Sequence, residues 1–276
     1  MKKKLEIIGE RLNGSVSSVG KAIERRDGAF IRQAALCQAR QGADYLDVCA
    51  SASEDEAEIL RWMIEEVQSA ADLPLCLDSP DGRVLEQAAG YCRRPGILNS
   101  VSLGREEDLE RIFFFLKKHP GWKAVAMLSG RTGIPRTAEG RLEILEEILR
   151  RLEFLGLEEG RVYADPVVEA AAFADPDDPG SRDPRAVLET ISGIRRRYPG
   201  VHIAAAVSNI SHGLPARSYV NQSFGVLALA AGADCLILDP LDKGLQGALS
   251  AAGSLLSLDG EPSCLGYVRD YRKHLF

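Results

Sequence analysis

The sequence predicts an α/β protein folded as a (β/α)8 TIM barrel. Short apolar runs alternate with amphipathic segments from one end of the chain to the other, and the runs number eight. A chain of 276 residues, 45% hydrophobic, has the length of such a barrel and enough apolar matter for its core. The runs are continuous rather than alternating, as expected of parallel strands covered on both faces. A doubly wound open sheet is the competing architecture. It would carry a Gly-rich dinucleotide fingerprint after the first strand, and GERLNG is not GxGxxG. No shift in composition marks a linker, so residues 1–276 are expected to form a single domain.

Leu5 to Gly9 is the first strand-like run, and a helical segment spans Ile23 to Gln41. Tyr45 to Cys49 is the second run. The helix Glu54 to Ala71 then places Ala57, Leu60, Ile64 and Val67 on one face, with Ser53 and Glu56 at capping-box spacing. Leu75 to Leu77 is followed by a helix over Arg83 to Tyr91, and Gly96 to Asn99 by one over Glu106 to Lys118. Trp122 to Leu128 leads to a helix over Arg141 to Leu155, in which Leu142, Leu145, Leu149 and Leu152 form one stripe. After Val162 to Ala164 comes a long acidic loop, and then the helix Pro184 to Arg197. His202 to Val207 precedes the helix Ser218 to Ala231, and Cys235 to Leu238 precedes Gly247 to Leu256. Tyr267 to Phe276 reads as a short closing helix.

Net charge is −6, so no basic field favours nucleic acid or an anionic membrane. The local clusters Lys2 to Lys4 and Arg195 to Arg197 flank apolar runs and read as solvated element ends. No run approaches the ~20 residues that span a bilayer. The first run is too short for a secretory leader and is interrupted by Glu6. A cytoplasmic location is expected. The six cysteines form no CxxC pair, and Cys49, Cys76 and Cys235 fall inside apolar runs, where a thiol acts as a small hydrophobe. With four scattered histidines and no HExxH, no metal site is expected.

Polar side chains just past a buried strand are where α/β enzymes keep their chemistry. Here strand one ends at Glu10, with Asn13 following, strand two at Asp47 and Cys49, and strand three at Asp78 and Ser79. Strand four ends at Asn99 and Ser100, strand six at Asp165, strand seven at Ser208 and Asn209, and strand eight at Asp239. In a barrel these side chains converge on one mouth. Any single acid could be a helix cap, Asp78 before Pro80 among them, but recurrence around the ring points to a site. The ring has no strand-end lysine for a Schiff base, since Lys123 enters strand five. It has no Gly-rich phosphate cradle after strands seven and eight, where Asp239 and Asp242 would repel an anion. Carboxylates with few basic partners suit a neutral heterocycle rich in N–H donors. A pterin fits: a carboxylate accepts from its amino group and ring N–H together, and an asparagine both accepts and donates.

The stretches IGERLNG (Ile8 to Gly14), GADYLDV (Gly42 to Val48), LCLDS (Leu75 to Ser79) and ILNS (Ile97 to Ser100) continue with RTGIPRTAEGRL (Arg131 to Leu142), VYADP (Val162 to Pro166) and SNISHGLPARSYVNQSF (Ser208 to Phe224). In these, collinear over nearly the whole chain, the protein resembles the methyltetrahydrofolate:corrinoid protein methyltransferases. That family shares a pterin-binding TIM barrel with the folate domain of cobalamin-dependent methionine synthase and with dihydropteroate synthase. The resemblance implies that Asp78, Asn99 and Asp165 hydrogen-bond the pterin ring and that Asn209 lies beside N5, the methyl-bearing atom. Glu10 and Ser208 join the folate-binding set. His212 and Arg217 fall where the family has further polar folate contacts. Arg217 would face the aminobenzoyl-glutamate tail, or else pair with a surface acid. His212 stands where the family pattern has a Gln, Cys49 where it has an Asn, and Gly130 where it has another Asn.

The implied reaction is methyl transfer between N5 of methyltetrahydrofolate and the cobalt of a corrinoid (cobalamin) carried by a partner protein. Its direction is open: the enzyme either loads the corrinoid protein or methylates tetrahydrofolate in a demethylation sequence. Asn209 is the expected catalytic residue. Its amide is no acid at neutral pH, so it either donates a hydrogen bond that stabilises protonated-N5 character through water or accepts one by rotating, with solvent supplying the proton. Such a positioned donor is worth ~2.7–4 kcal/mol in the transition state. Orienting N5 towards the docked corrinoid is the main contribution of the protein. A homodimer is expected. The segment Glu169 to Arg185, with Asp175, Asp177, Asp178 and Asp183, is either a lid or docking surface or a solvated acidic loop. Two alternatives are a dihydropteroate-synthase-like enzyme, which would need basic residues where this chain has LDPLD, and a non-catalytic folate-binding protein.

Overall fold

The computed structural model describes residues 5–50, 55–174, 183–256, 264–273 and 276. Eight parallel strands close in sequence order into a barrel: β1 (Glu6–Asn13), β2 (Tyr45–Cys49), β3 (Leu75–Asp78), β4 (Ile97–Val101), β5 (Lys123–Met127), β6 (Val162–Asp165), β7 (His202–Ala206) and β8 (Cys235–Leu238). The helices are α1 (Ser17–Glu24), α2 (Gly28–Arg40), α3 (Glu56–Ala70), α4 (Gly82–Ala89), α5 (Glu106–Lys118), α6 (Ala138–Phe154), α7 (Pro184–Arg197), α8 (Arg217–Ala231), α9 (Lys243–Leu255) and α10 (Leu265–Arg272). The TIM barrel read from the alternation of runs is therefore the fold.

Successive strand residues point to opposite faces, which divides each apolar run between two cores. Ile8, Cys76, Ile97, Val125, Ala204 and Ile237 pack inside the barrel. Their neighbours along the strands, such as Leu46, Leu77, Leu98, Ala126 and Leu236, pack outward against the helices. Burying one such leucine or valine contributes about 1.5–3 kcal/mol. The helices answer with buried stripes: Ile59, Leu60, Met63, Ile64 and Val67 on α3, and Leu142, Leu145, Ile148, Leu149 and Leu152 on α6.

Starts of helices follow the caps. Asp27, Asp55, Asp81, Thr137, Asp183 and Asp242 each accept a backbone N–H at the head of α2, α3, α4, α6, α7 and α9. Asp81 rather than Asp78 therefore caps α4. The proposed cap Ser53 lies outside the described residues, as do Lys2 to Lys4. Two expectations near the N-terminus need correction, and α9 begins at Lys243 rather than Gly247. The segment Ile23 to Gln41 is two helices, because Arg26 adopts a left-handed φ of 52° and Asp27 caps a new start. The first strand does not stop at Gly9 but runs on to Asn13 past a register shift between Gly9 and Leu12. Gln38 of α2 makes this possible, since its Oε1 accepts the Arg11 N–H at 3.0 Å. A Cβ at Gly9 would come within 2.5 Å of that same oxygen.

The bottom of the barrel is closed by polar groups. Lys123 Nζ donates to Tyr163 Oη at 3.0 Å, and that hydroxyl donates to Glu6 at 2.5 Å. His202 stacks on Tyr163 with centroids 4.6 Å apart, and its Nδ1 lies 3.1 Å from Asp234. Arg195 also reaches Asp234, at 3.1 Å, so this member of the basic cluster is tied into the barrel base rather than solvated. All six cysteines are thiols rather than disulfides, and Cys49, Cys76 and Cys235 are buried. No helix among the described residues is long and apolar enough to cross a membrane.

Candidate active site

At the other end the strands carry the predicted ring. The alternation that turns Ile8, Cys76, Ile97 and Tyr163 inward turns Glu10, Asp78, Asn99 and Asp165 inward two residues later, at the mouth. Register makes some of them neighbours: Asp78 lies beside Asn99 across β3 and β4, and Cys49 beside Asp78 across β2 and β3. Asp47 sits just beneath, against Asp78, Asn99, Cys76 and Glu10. Asn13 is not part of this group; its Oδ1 accepts from Ser15 N at 2.9 Å and Ser15 Oγ at 2.7 Å and holds the turn after β1.

Burial dominates the electrostatics of these acids. Asp47 is 3% exposed, and burial, reinforced by the charge of Asp78, pushes its carboxyl well above the usual carboxylate range. Among the described residues its Oδ1 has no hydrogen-bond partner. Burial pushes Asp78 up to about 6 against the donating Cys49 thiol, with Glu56 raising it further. It pushes Asp165 up to about 6 against the Val167 N–H, at 2.7 Å, and the Arg141 charge. Glu10 is pushed up to about 7, again by burial, opposed by Ser208 Oγ donating at 2.9 Å and by Arg217, and aided by Asp239. The mouth is thus rich in acceptors and short of donors. A ligand presenting several N–H groups supplies the solvation these carboxyls have lost.

The departures from the family pattern have local accounts. Cys49 keeps a donor on Asp78. Gly130 pairs with Gly133 through N–H to O contacts of 2.9 and 3.1 Å, and a Cβ there would meet Ile144 Cδ1 at 3.3 Å.

Past β7 the chain makes a single 3-10 turn, Val207–Ser211. Asn209 on this turn and His212 just beyond it are exposed, and the His212 N–H donates to Asn209 O at 3.1 Å. Arg217, the first residue of α8, pairs with no surface acid among the described residues. Its Nη2 donates to Ser208 O and its Nε to Ser211 Oγ, both at 2.9 Å. Residues 175–182 of the acidic segment lie outside the described residues; Glu169 at its start meets Arg136 at 3.1 Å.

Two groups were not among the predicted site residues. In the sequence Asp47 is only one acid at the end of its strand. Arg141 is 2% exposed, donates through Nε to Pro135 O at 2.9 Å, and lies near Asp165 and Glu169. Its Nη1 has no partner among the described residues. The available signal was its place in the first turn of α6, where a cation opposes the helix dipole and needs another reason to be there.

The pterin binding enzyme family matches residues 9–239, and the chain belongs to that family. Among its relatives is the methylcorrinoid:tetrahydrofolate methyltransferase of Eubacterium limosum, 39% identical over 272 residues, which are 97% of this chain and 96% of that one. Dihydropteroate synthases share the fold. The Xanthomonas albilineans enzyme in complex with 7,8-dihydropteroate matches with a TM-score of 0.67 at 17% identity, over 93% of this chain and 95% of that one. The Coxiella burnetii enzyme in complex with pteroic acid matches with a TM-score of 0.67 at 18% identity, over 93% and 94%.

Proposed function

We propose that this protein transfers a methyl group from a methylated corrinoid, carried by a separate protein, to N5 of tetrahydrofolate. The observation that carries the reading is 39% identity, over 97% of the chain, to an enzyme named for that transfer. The acceptor-rich mouth supports it independently. Asp78, Asn99 and Asp165, with Asp47 beneath, accept from the amino and ring N–H groups of the pterin and fix its plane. The ring is thereby oriented, which is the larger part of the catalytic effect when both reactants arrive preformed.

The N5 lone pair forms the new C–N bond as the cobalt–carbon bond of the corrinoid substrate breaks, the cobalt keeping that electron pair. The proton on N5 must then leave. Asn209 hydrogen-bonds at N5 and stabilises the ammonium character that develops there. Glu10 is held by Ser208, the residue before Asn209, and its near-neutral carboxyl suits it to take the released proton. His212 adds a second polar group at the rim. Six cysteine thiols with no disulfide among them suit a reducing compartment, and we place the activity in the cytoplasm. Leu227 on α8, Leu255 on α9, and Leu265, Val268 and Tyr271 on α10 are exposed, which supports association of two copies through this face. Light scattering across a concentration series reads that association directly.

The test of the reaction mixes the protein, free of oxygen, with tetrahydrofolate and methylcobalamin. Loss of methylcobalamin absorbance with formation of methyltetrahydrofolate is expected, and the reverse reaction is run with reduced cobalamin. Folate binding without transfer in either direction would leave a binding protein instead. Condensation of a pterin pyrophosphate with 4-aminobenzoate would point to synthase chemistry.

A further inference from the structure

Asn209 rides on a turn that lies outside the strand ladder of the barrel, since β7 ends at Ala206. Two sets of contacts grip it. From β1, Glu10 accepts from Ser208 Oγ at 2.9 Å. From α8, Arg217 folds back so that Nη2 donates to Ser208 O and Nε to Ser211 Oγ, each at 2.9 Å. Ser211 Oγ in turn donates to Ser208 O at 3.2 Å, closing a small network of three residues. The residue before Arg217, Ala216, has a left-handed φ of 49°, which L-residues adopt only under constraint. This reversal brings the head of α8 against the turn.

We infer that Arg217 is a positioning residue: with Ser211 it locks the turn that presents Asn209 to N5, and it does not hold the carboxylate tail of folate. The inference rests on the proposed methyl transfer. Ser208 O and the Asn209 N–H belong to one planar peptide unit. A guanidinium on that oxygen therefore fixes the tilt of the backbone from which the Asn209 side chain departs. The planar fork of arginine reaches two acceptors at once, and a lysine ammonium on a flexible stem does not reproduce this. Ser211 is 0% exposed, so it cannot touch a ligand and can affect catalysis only through the turn.

The test compares Arg217→Met, Arg217→Lys and Ser211→Ala on two acceptors, tetrahydrofolate and 6-methyltetrahydropterin, which has the ring and N5 but no tail. Arg217→Met should lower kcat about tenfold or more on both acceptors, the size expected for losing a charged hydrogen bond. KM for tetrahydrofolate should move much less. Arg217→Lys should not rescue, and Ser211→Ala, close to isosteric, should lower kcat in the same direction. The double variant should be little worse than the poorer single one, since the two side chains act as one unit. A rise in KM for tetrahydrofolate alone, with the tailless acceptor unaffected, would make Arg217 a tail contact and overturn the inference, as would strictly additive losses. Hydrogen exchange of residues 207–211 gives a reading that does not depend on turnover. It should quicken in both single variants, and unchanged exchange overturns the inference. Wild-type protein that transfers no methyl group to either acceptor refutes the proposed reaction, while the exchange measurement still decides the clamp.

Discussion

Replacing Asp165 by Asn should make the ligand-free protein more stable and a poorer folate binder. The Asp165 carboxyl is raised from 3.8 to about 6 by burial, even after the Val167 N–H and Arg141 have pulled it down. At ~1.4 kcal/mol per pK unit, a shift of about two units means that ionised Asp165 opposes folding by up to about 3 kcal/mol. Asn keeps the shape and can still accept from Val167, without the charge. The sign follows from the raised value. Below about pH 3 the carboxyl is protonated in the folded and unfolded chain alike, so the substitution gains nothing, and at pH 4 it gains little. The gain grows as pH rises from about 4, where the unfolded chain ionises, to about 6, where the folded one does, and it is complete above about pH 7. The unfolding entropy of a chain this long is about 0.6 kcal/mol per degree, so 3 kcal/mol corresponds to a rise in Tm of about 5 °C. Thermal melts followed by circular dichroism at pH 4, 6 and 8 measure it. Calorimetric titration should show tetrahydrofolate binding weakened about tenfold to a hundredfold, the loss of a charge-assisted hydrogen bond. An equal gain at pH 4, or a lower Tm at pH 8, would refute the assignment of Asp165 as a desolvated acid.

Asn209→Ala should cut the rate of transfer by about a hundredfold or more, the usual effect of removing a polar group that stabilises charge developing in the transition state, with folate affinity changed far less. Equal losses in both would demote it to a binding residue. In the native enzyme, methylation of tetrahydrofolate should speed up as pH rises through about 7, where Glu10 ionises, and the reverse reaction should slow over the same range. Asp239, itself paired with Arg11 at 2.7 Å, and Arg217 face Glu10 and are unchanged in Glu10→Gln, so that variant should lose the inflection. Its persistence would assign the proton to another group. Tyr163→Phe at the barrel base removes the hydroxyl shared by Lys123 and Glu6, and denaturant unfolding should show a loss of about 1–3 kcal/mol. Its kcat and KM should match the native enzyme, because that end of a TIM barrel carries stability rather than chemistry.

The strand and helix pattern was legible in the chain because its causes are local. Continuous apolar runs such as Leu75 to Leu77 bury both faces of a strand, and stripes such as Leu142 to Leu152 bury one face of a helix. Caps set the starts within a turn, and where a cap is not evident from the apolar stripe, as at Asp242 before α9, the helix begins earlier than that stripe suggests. The ring of Glu10, Asp78, Asn99 and Asp165 was legible for a related reason. Strand alternation has a period of two, so once a barrel is granted, the residue two past an inward Ile8, Cys76, Ile97 or Tyr163 must enter the mouth.

Tertiary structure decided everything that depends on groups remote in sequence. The continuation of β1 past Gly9 needs Gln38 from α2 to satisfy the Arg11 N–H. Arg141 reads as a surface helix residue until the loops after β5 and β6 close over it and leave it 2% exposed. Arg217 could have pointed to solvent, to an acid or to a ligand; only the packing of α8 against the turn after β7 sets it on Ser208 and Ser211. The raised values of Asp47, Asp78, Asp165 and Glu10 likewise belong to no single residue. Desolvation sums over every neighbour that excludes water, and those neighbours come from strands as far apart in sequence as β1 and β7. Sequence by itself determined which residues enter the mouth, because that follows from a short period along each strand. The tertiary structure determined what state those residues are in, because charge and solvation act through space.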